Sequence, residues 1–81
     1  MSNSQHIVVV GAGAWGTALA MAMARGNHHV TLVAQSQEHA FELRTHRENK
    51  TYFPNIHLDS KIKIDSDYAV LKSADIILWV I

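Results

Sequence analysis

The chain contains no cysteine and a single proline, Pro54. Without thiols there is no disulfide framework and no thiolate to hold a metal. It also lacks charge of one sign: seven Lys and Arg stand against seven Asp and Glu. No net field therefore draws it toward nucleic acid or an anionic membrane surface. No apolar run approaches the ~20 residues that span a bilayer. The opening Met1 to His6 has no basic segment leading into a long apolar stretch, as a secretion signal would. The cytoplasm is the expected compartment. At 81 residues the chain is one small domain at most. Its 48% hydrophobic content, with 17% charged residues, excludes a disordered type.

Glycine is also scarce, but three of the four fall together as Gly11, Gly13 and Gly16, the G-x-G-x-x-G spacing. A β-branched run, Ile7-Val8-Val9-Val10, precedes them, of the kind buried on both faces of a parallel sheet. An alanine-rich segment follows and predicts a helix over about Ala14 to Arg25, ending at Gly26-Asn27. In this strand-turn-helix context each glycine has a job. Gly11 permits the tight turn, Gly13 leaves room for a diphosphate to approach the backbone, and Gly16 lets the helix pack closely. The first amides of a helix have no intrahelical partner and carry partial positive charge, so an anion there is stabilised. The turn reads as a dinucleotide site, with Ala14 and Trp15 supplying the first amides.

The remaining pattern continues the same fold. Trp15, Ala18, Leu19, Ala22 and Met23 follow helical spacing and are expected to face the sheet, although the helix is apolar nearly all round. Such a helix is expected to be covered on both sides. Val30 to Ala34 reads as a second strand, and Ser36 as the N-cap of a helix from Gln37 to about Arg47 with Glu38 in its first turn. Glu48 to Ser60 reads as loop. Lys61-Ile62-Lys63-Ile64 alternates strictly, predicting an edge strand with one wet face. Asp65 to Ser73 predicts a short helix capped by Asp65 or Ser66, and Ile76 to Ile81 a buried strand. The succession βαβαβαβ predicts an α/β fold: a Rossmann-type, doubly wound parallel sheet in the order 3-2-1-4, first half only. A last strand apolar on both faces makes an edge that pairs with a second copy, so a homo-oligomer is expected.

Three segments resemble bacterial NAD(P)-dependent glycerol-3-phosphate dehydrogenase. They are G-A-G-A-W-G-T-A-L-A at residues 11–20, E-N-K-T-Y-F-P-N at 48–55 and A-D-I-I-L-W-V-I at 74–81, in that family's order. The resemblance implies cofactor contact by Gly11, Gly13, Ala14 and Trp15, and a loop bordering the cofactor at Tyr52. It implies hydride transfer between NADH or NADPH and dihydroxyacetone phosphate, giving sn-glycerol 3-phosphate. It further implies that residues 1–81 are the N-terminal part of a dinucleotide-binding domain. The rest of that domain and a helical substrate domain would lie downstream, with the catalytic lysines among them, so no catalytic residue is expected here.

Other readings stand beside these. Trp15 also suits a core aromatic packing helix on sheet, and Tyr52 a ring covering the sheet edge. Gln35 and Ser36 sit just past strand two, where an adenosine ribose lies and where an acid selects NAD or a cation NADP. Neither charge is present at Ala34 to Ser36, so NAD and NADP are both admitted. Arg44, Arg47 and Lys50 form a basic cluster that reads as a solvated face. The six histidines lie in turns, loops or surface helix, and no tetrahedral metal set or Ser-His-Asp arrangement can be assembled from them. Two rival functions remain. One is another dehydrogenase with the same nucleotide half, such as a 6-phosphogluconate or hydroxyacyl-CoA type, against which Trp15-Gly16-Thr17 argues. The other is a nucleotide-sensing module without chemistry, like potassium-channel control domains, which usually keep an acid after strand two.

Overall fold

A computed structural model describes residues 5–80; Ile81, expected in the last strand, and the first four residues lie outside the described residues. The parallel sheet is built from β1 (His6–Val10), β2 (His29–Val33), β5 (Ile62–Asp65) and β6 (Ile76–Trp79). Their order is β5-β2-β1-β6, which is the expected 3-2-1-4 when the strands of this sheet alone are numbered. Every pairing is parallel, with His6 opposite His29, Ile7 opposite Ile76 and Val30 opposite Ile62. β2 and β1 are the interior strands, and residues 7–10 of β1 are all buried, as a continuous β-branched run requires.

Helix α1 (Ala14–Arg25) follows β1 and α2 (Gln37–His46) follows β2. One core lies on their side of the sheet, where Val9, Leu32 and Ile64 meet Ala20, Ala24, Ala40, Leu43 and Leu58. Val8, Val10 and Val33 face the other way, toward Val70, Leu71 and Ala74 of a 3-10 helix at Tyr68–Ser73 and the residue after it. That 3-10 helix replaces the expected helix over 65–73, and its cap is Asp67, whose Oδ1 accepts from the Ala69 amide at 2.9 Å. Asp65 instead accepts from the amides of Ser66 and Asp67, tying down the turn before it. In β5, Ile62 and Ile64 are buried and Lys63 is exposed, the alternation of a half-wet edge. β6 stands at the other end of the described sheet, with Ile76, Ile77 and Trp79 exposed rather than buried. Among the described residues no helix is long and apolar enough to cross a membrane.

Two further expectations are corrected and one is extended. The buried residues of α1 are Gly16, Thr17, Ala20 and Ala24, and Trp15 is 77% exposed. An all-apolar helix gives hydrophobicity no face to choose, so sterics decide: the small residues at 16, 20 and 24 let the axis approach the sheet. Glu48 to Ser60 is not plain loop. β3 (Glu48–Asn49) and β4 (Phe53–His57) form a short antiparallel hairpin across the sheet's flank. A two-residue strand leaves no readable periodicity, and Pro54 fits only an edge. The basic cluster does present exposed side chains at Arg44 and Lys50, and its two arginines also clamp backbone. Arg44 donates from Nε and Nη2 to the Ile64 carbonyl at 2.9 and 2.6 Å, and Arg47 donates to the carbonyls of Asp59 and Ile62, both at 2.8 Å. Lys50, exposed like Arg44, is the one of the three outside these bonds.

Candidate functional site

The glycine turn lies where β1 ends and α1 begins, at the carboxyl edge of the sheet. Gly11 has φ 120°, open to glycine and strained for any side chain. Its amide donates to the Val33 carbonyl at 3.0 Å, so the turn is stitched to β2. At Gly16 a Cβ would collide with the Gly11 carbonyl, a backbone atom that cannot yield. Gly16 is thus a packing residue, buried beneath the turn it shapes. Gly13 differs: φ is −80°, ordinary for any residue, and nothing lies within 4 Å of where a Cβ would be. The space there is left clear, as the expected approach of a diphosphate would require.

Gly13 is also the N-cap of α1. No side chain caps this helix and no acid stands in its first turn. The amides of Ala14 and Trp15, both exposed residues, therefore begin a helix with no internal anion of its own. The Trp15 indole stands in solvent and has no part in the core, so its ring is available to whatever covers this end.

A cleft of about 230 Å³ opens beside the turn, lined by Gly11, Ala12, Gly13, Gln35, His39, Tyr52 and Val80. The fold thus gathers Gly11, Gly13, Gln35 and Tyr52 around one opening, although they come from three separate stretches of sequence. Ala14 and Trp15 stand at its rim on the helix start. Ser36 lies next to Gln35 but is committed to α2, where its Oγ accepts from the His39 amide at 3.0 Å. Its hydroxyl proton remains free to be donated outward. Tyr52 is half exposed on the turn between β3 and β4, with its ring 6.0 Å from that of His39. It borders the cleft instead of covering the sheet edge.

Two residues in this region carry no motif signal. Asn49 is wholly buried behind the turn and donates to the Ala12 carbonyl at 2.7 Å and the Thr17 hydroxyl at 2.8 Å. His39 meets its Oδ1 at 3.3 Å. The only sequence hint was Asn49's place beside Tyr52 in the second family-like segment. A wider hollow of about 840 Å³ lies on the outer side of α2, between Phe41, Arg44 and Asp67. Glu38, Glu42, Asp65 and Asp67 line it, and four carboxylates would repel a diphosphate. Among the described residues no three His, Asp or Glu side chains group to hold a metal ion.

Residues 6–81 match the family model described as NAD-dependent glycerol-3-phosphate dehydrogenase N-terminus. Among curated proteins, a glycerol-3-phosphate dehydrogenase [NAD(P)+] of Bradyrhizobium sp. (strain ORS 278) is 48% identical over 77 residues, covering 95% of this chain and 23% of that protein. One from Orientia tsutsugamushi is 43% identical over 74 residues, covering 91% of this chain and 22% of that protein. The crystal structure of glycerol-3-phosphate dehydrogenase from Coxiella burnetii superposes with a TM-score of 0.88 at 34% identity, over 96% of this chain and 24% of that one. The chain thus spans under a quarter of the length of the relatives it matches. A strand, an uncapped helix and an open glycine turn agree with these matches over nearly all the described residues, and the chain belongs to the NAD-dependent glycerol-3-phosphate dehydrogenase N-terminal family.

Proposed function

We propose that this chain is the nucleotide-holding part of an enzyme interconverting dihydroxyacetone phosphate and sn-glycerol 3-phosphate, with NAD or NADP as cofactor. The observation that carries the reading is the empty space at Gly13, directly over an uncapped helix start with no acid in its first turn. An anion is stabilised there by unpartnered amides, and a side chain on residue 13 would exclude it. Gly11 and Gly13 give the diphosphate its approach, and the amides of Ala14 and Trp15 receive it. Gln35 and Ser36 lie toward the adenosine ribose, and Tyr52 borders the cofactor. Gly16 acts by holding the turn's shape.

The bound nicotinamide supplies or takes the hydride. This chain's own residues bind and orient the other half of the cofactor, and we assign none of them to acid-base chemistry. The relatives are about four times as long, consistent with a dinucleotide domain completed by further strands and a helical substrate domain outside residues 1–81. With neither acid nor cation at Gln35 and Ser36, either ribose is accepted. The same reading places the enzyme in the cytoplasm as a homo-oligomer. It assigns no nucleic-acid partner.

The test is calorimetric titration of the full-length protein with NADH and NADPH, followed by turnover of dihydroxyacetone phosphate. Micromolar binding of either cofactor and oxidation of NADH dependent on dihydroxyacetone phosphate are expected. Binding without turnover would favour the sensing module, and absence of binding would remove the site.

A further inference from the structure

We propose that Asn49 is a positioning residue for the diphosphate turn, aiming the Gly13 amide outward from behind. The inference rests on the nucleotide-binding reading of the same turn. Its basis is a buried polar knot with one solution. The Ala12 carbonyl can only accept, so the atom of Asn49 at 2.7 Å from it must be the amide nitrogen. The second hydrogen of that nitrogen goes to the Thr17 hydroxyl at 2.8 Å. Asn49 Oδ1 then faces His39, whose Nε2 must carry the proton it donates across 3.3 Å. Every polar atom of the Asn49 side chain is used, at zero exposure.

What the knot fixes is a peptide plane. In a trans peptide the carbonyl of one residue and the N–H of the next point in opposite directions. No peptide bond among the described residues is cis. Holding the Ala12 carbonyl inward on Asn49 therefore turns the Gly13 N–H away from the interior. Left alone, this plane would be freer to rotate, because one of its two flanking torsions, φ of Gly13, belongs to a residue with no Cβ. Thr17 adds a second anchor: its amide donates to the Gly13 carbonyl at 3.0 Å while its hydroxyl accepts from Asn49. The β3–β4 hairpin thus locks a turn that is 37 residues distant in sequence. The ordering is done before any ligand arrives, which lowers the cost of binding.

The test uses the full-length protein with NADH, ADP and adenosine as probes, and two substitutions. Asn49→Asp keeps the shape but presents an acceptor to the Ala12 carbonyl. Thr17→Val keeps the volume and the Ala12 bond but removes the hydroxyl, and Thr17→Ser restores it. We expect each disabling change to weaken NADH and ADP by about tenfold or more, the effect of one buried polar group losing its partner. Adenosine, which has no diphosphate, should bind as before. KM for NADH should rise while kcat at saturation stays within about twofold, and Thr17→Ser should bind as the parent does. Unchanged NADH affinity in folded Thr17→Val, or adenosine weakened as much as ADP, overturns the proposal. If Asn49→Asp does not fold, Thr17→Val and Thr17→Ser decide alone. A parent protein that binds no NADH overturns the nucleotide reading itself, whereas a parent that binds alongside indifferent variants strikes only Asn49.

Discussion

Helices α1 and α2 begin at the same edge of the sheet, after neighbouring parallel strands, and treat their first turns in opposite ways. α2 is self-sufficient: Ser36 accepts from the His39 amide, and Glu38 brings a negative charge to the first turn. α1 has a glycine for a cap, no capping side chain and no acid. A free helix start is a liability of about 1 kcal/mol when a capping side chain is missing. Here that start lies next to a cleft and a residue kept clear of neighbours, and under the function proposed above a ligand supplies the missing group. Two helices with the same backbone physics thus differ in whether the anion is built in or borrowed.

The comparison can be broken most severely at Gly16. Gly16→Ala drives a methyl group into the Gly11 carbonyl, so turn and helix must part. Overpacking against backbone costs about 3 kcal/mol or more, and denaturant unfolding of the full-length protein should show it together with lost cofactor binding. Next, Gly13→Asp would make α1 resemble α2 by giving it its own anion. The backbone at 13 accepts a side chain and the space is open, so stability should hold within about 1 kcal/mol or improve. Cofactor affinity should nevertheless fall by at least about a hundredfold, because a carboxylate then stands in the diphosphate's place and repels it. Calorimetric unfolding and NADH titration on the same preparation separate the two effects. Near-normal binding in this variant would remove the turn from the site.

Smaller changes sharpen the contrast on the α2 side. Gln35→Arg adds a cation at the cleft wall and should shift the kcat/KM ratio of NADPH over NADH by about tenfold toward NADPH, the scale of one charge-assisted hydrogen bond. An unchanged ratio would take residue 35 off the ribose. Ser36→Ala should cost about 1 kcal/mol of stability by uncapping α2, and cofactor affinity should fall by a few-fold, the scale of one neutral hydrogen bond to the ribose. Unchanged affinity in the folded variant would leave the Ser36 hydroxyl to the helix alone.

Local rules made most of the frame legible. The Ser36 cap, the Ala14–Arg25 bounds of α1, the wet face of β5 and the strand order all follow from spacing, caps and connection handedness. The helix stop at 26–27 was also readable, although the left-handed residue proves to be Asn27, φ 68°, with Gly26 in an ordinary conformation. Hydrophobic spacing misplaced the buried face of α1, since Trp15 and Met23 are as apolar as Ala20 and Ala24 and only their size separates them. Of the candidate site, the glycines and the Gln35-Ser36 turn could be singled out because their chemistry is local, and the fold brings Gly11, Gly13 and Gln35 to one cleft. Asn49 was not: a buried amide joining residue 49 to residues 12, 17 and 39 leaves no periodic trace. The arginine clamps escaped for the same reason, since a carbonyl acceptor can belong to any residue.

The register of β1 has a consequence for the order of assembly. Its partner on one side, β2, lies 23 positions along (His6 with His29), whereas its partner on the other, β6, lies 69 positions along (Ile7 with Ile76). Closing a loop three times longer costs about 1 kcal/mol more in chain entropy, and on a ribosome the distant strand also emerges later. The β1–α1–β2 unit is therefore expected to form first, with the glycine turn inside it. While β6 is still missing, the open flank of β1 exposes the N–H and C=O groups of a strand that is apolar from Ile7 to Val10, which is a seed for misassembly. The interval between those two pairings is when the nascent chain has most need of a chaperone.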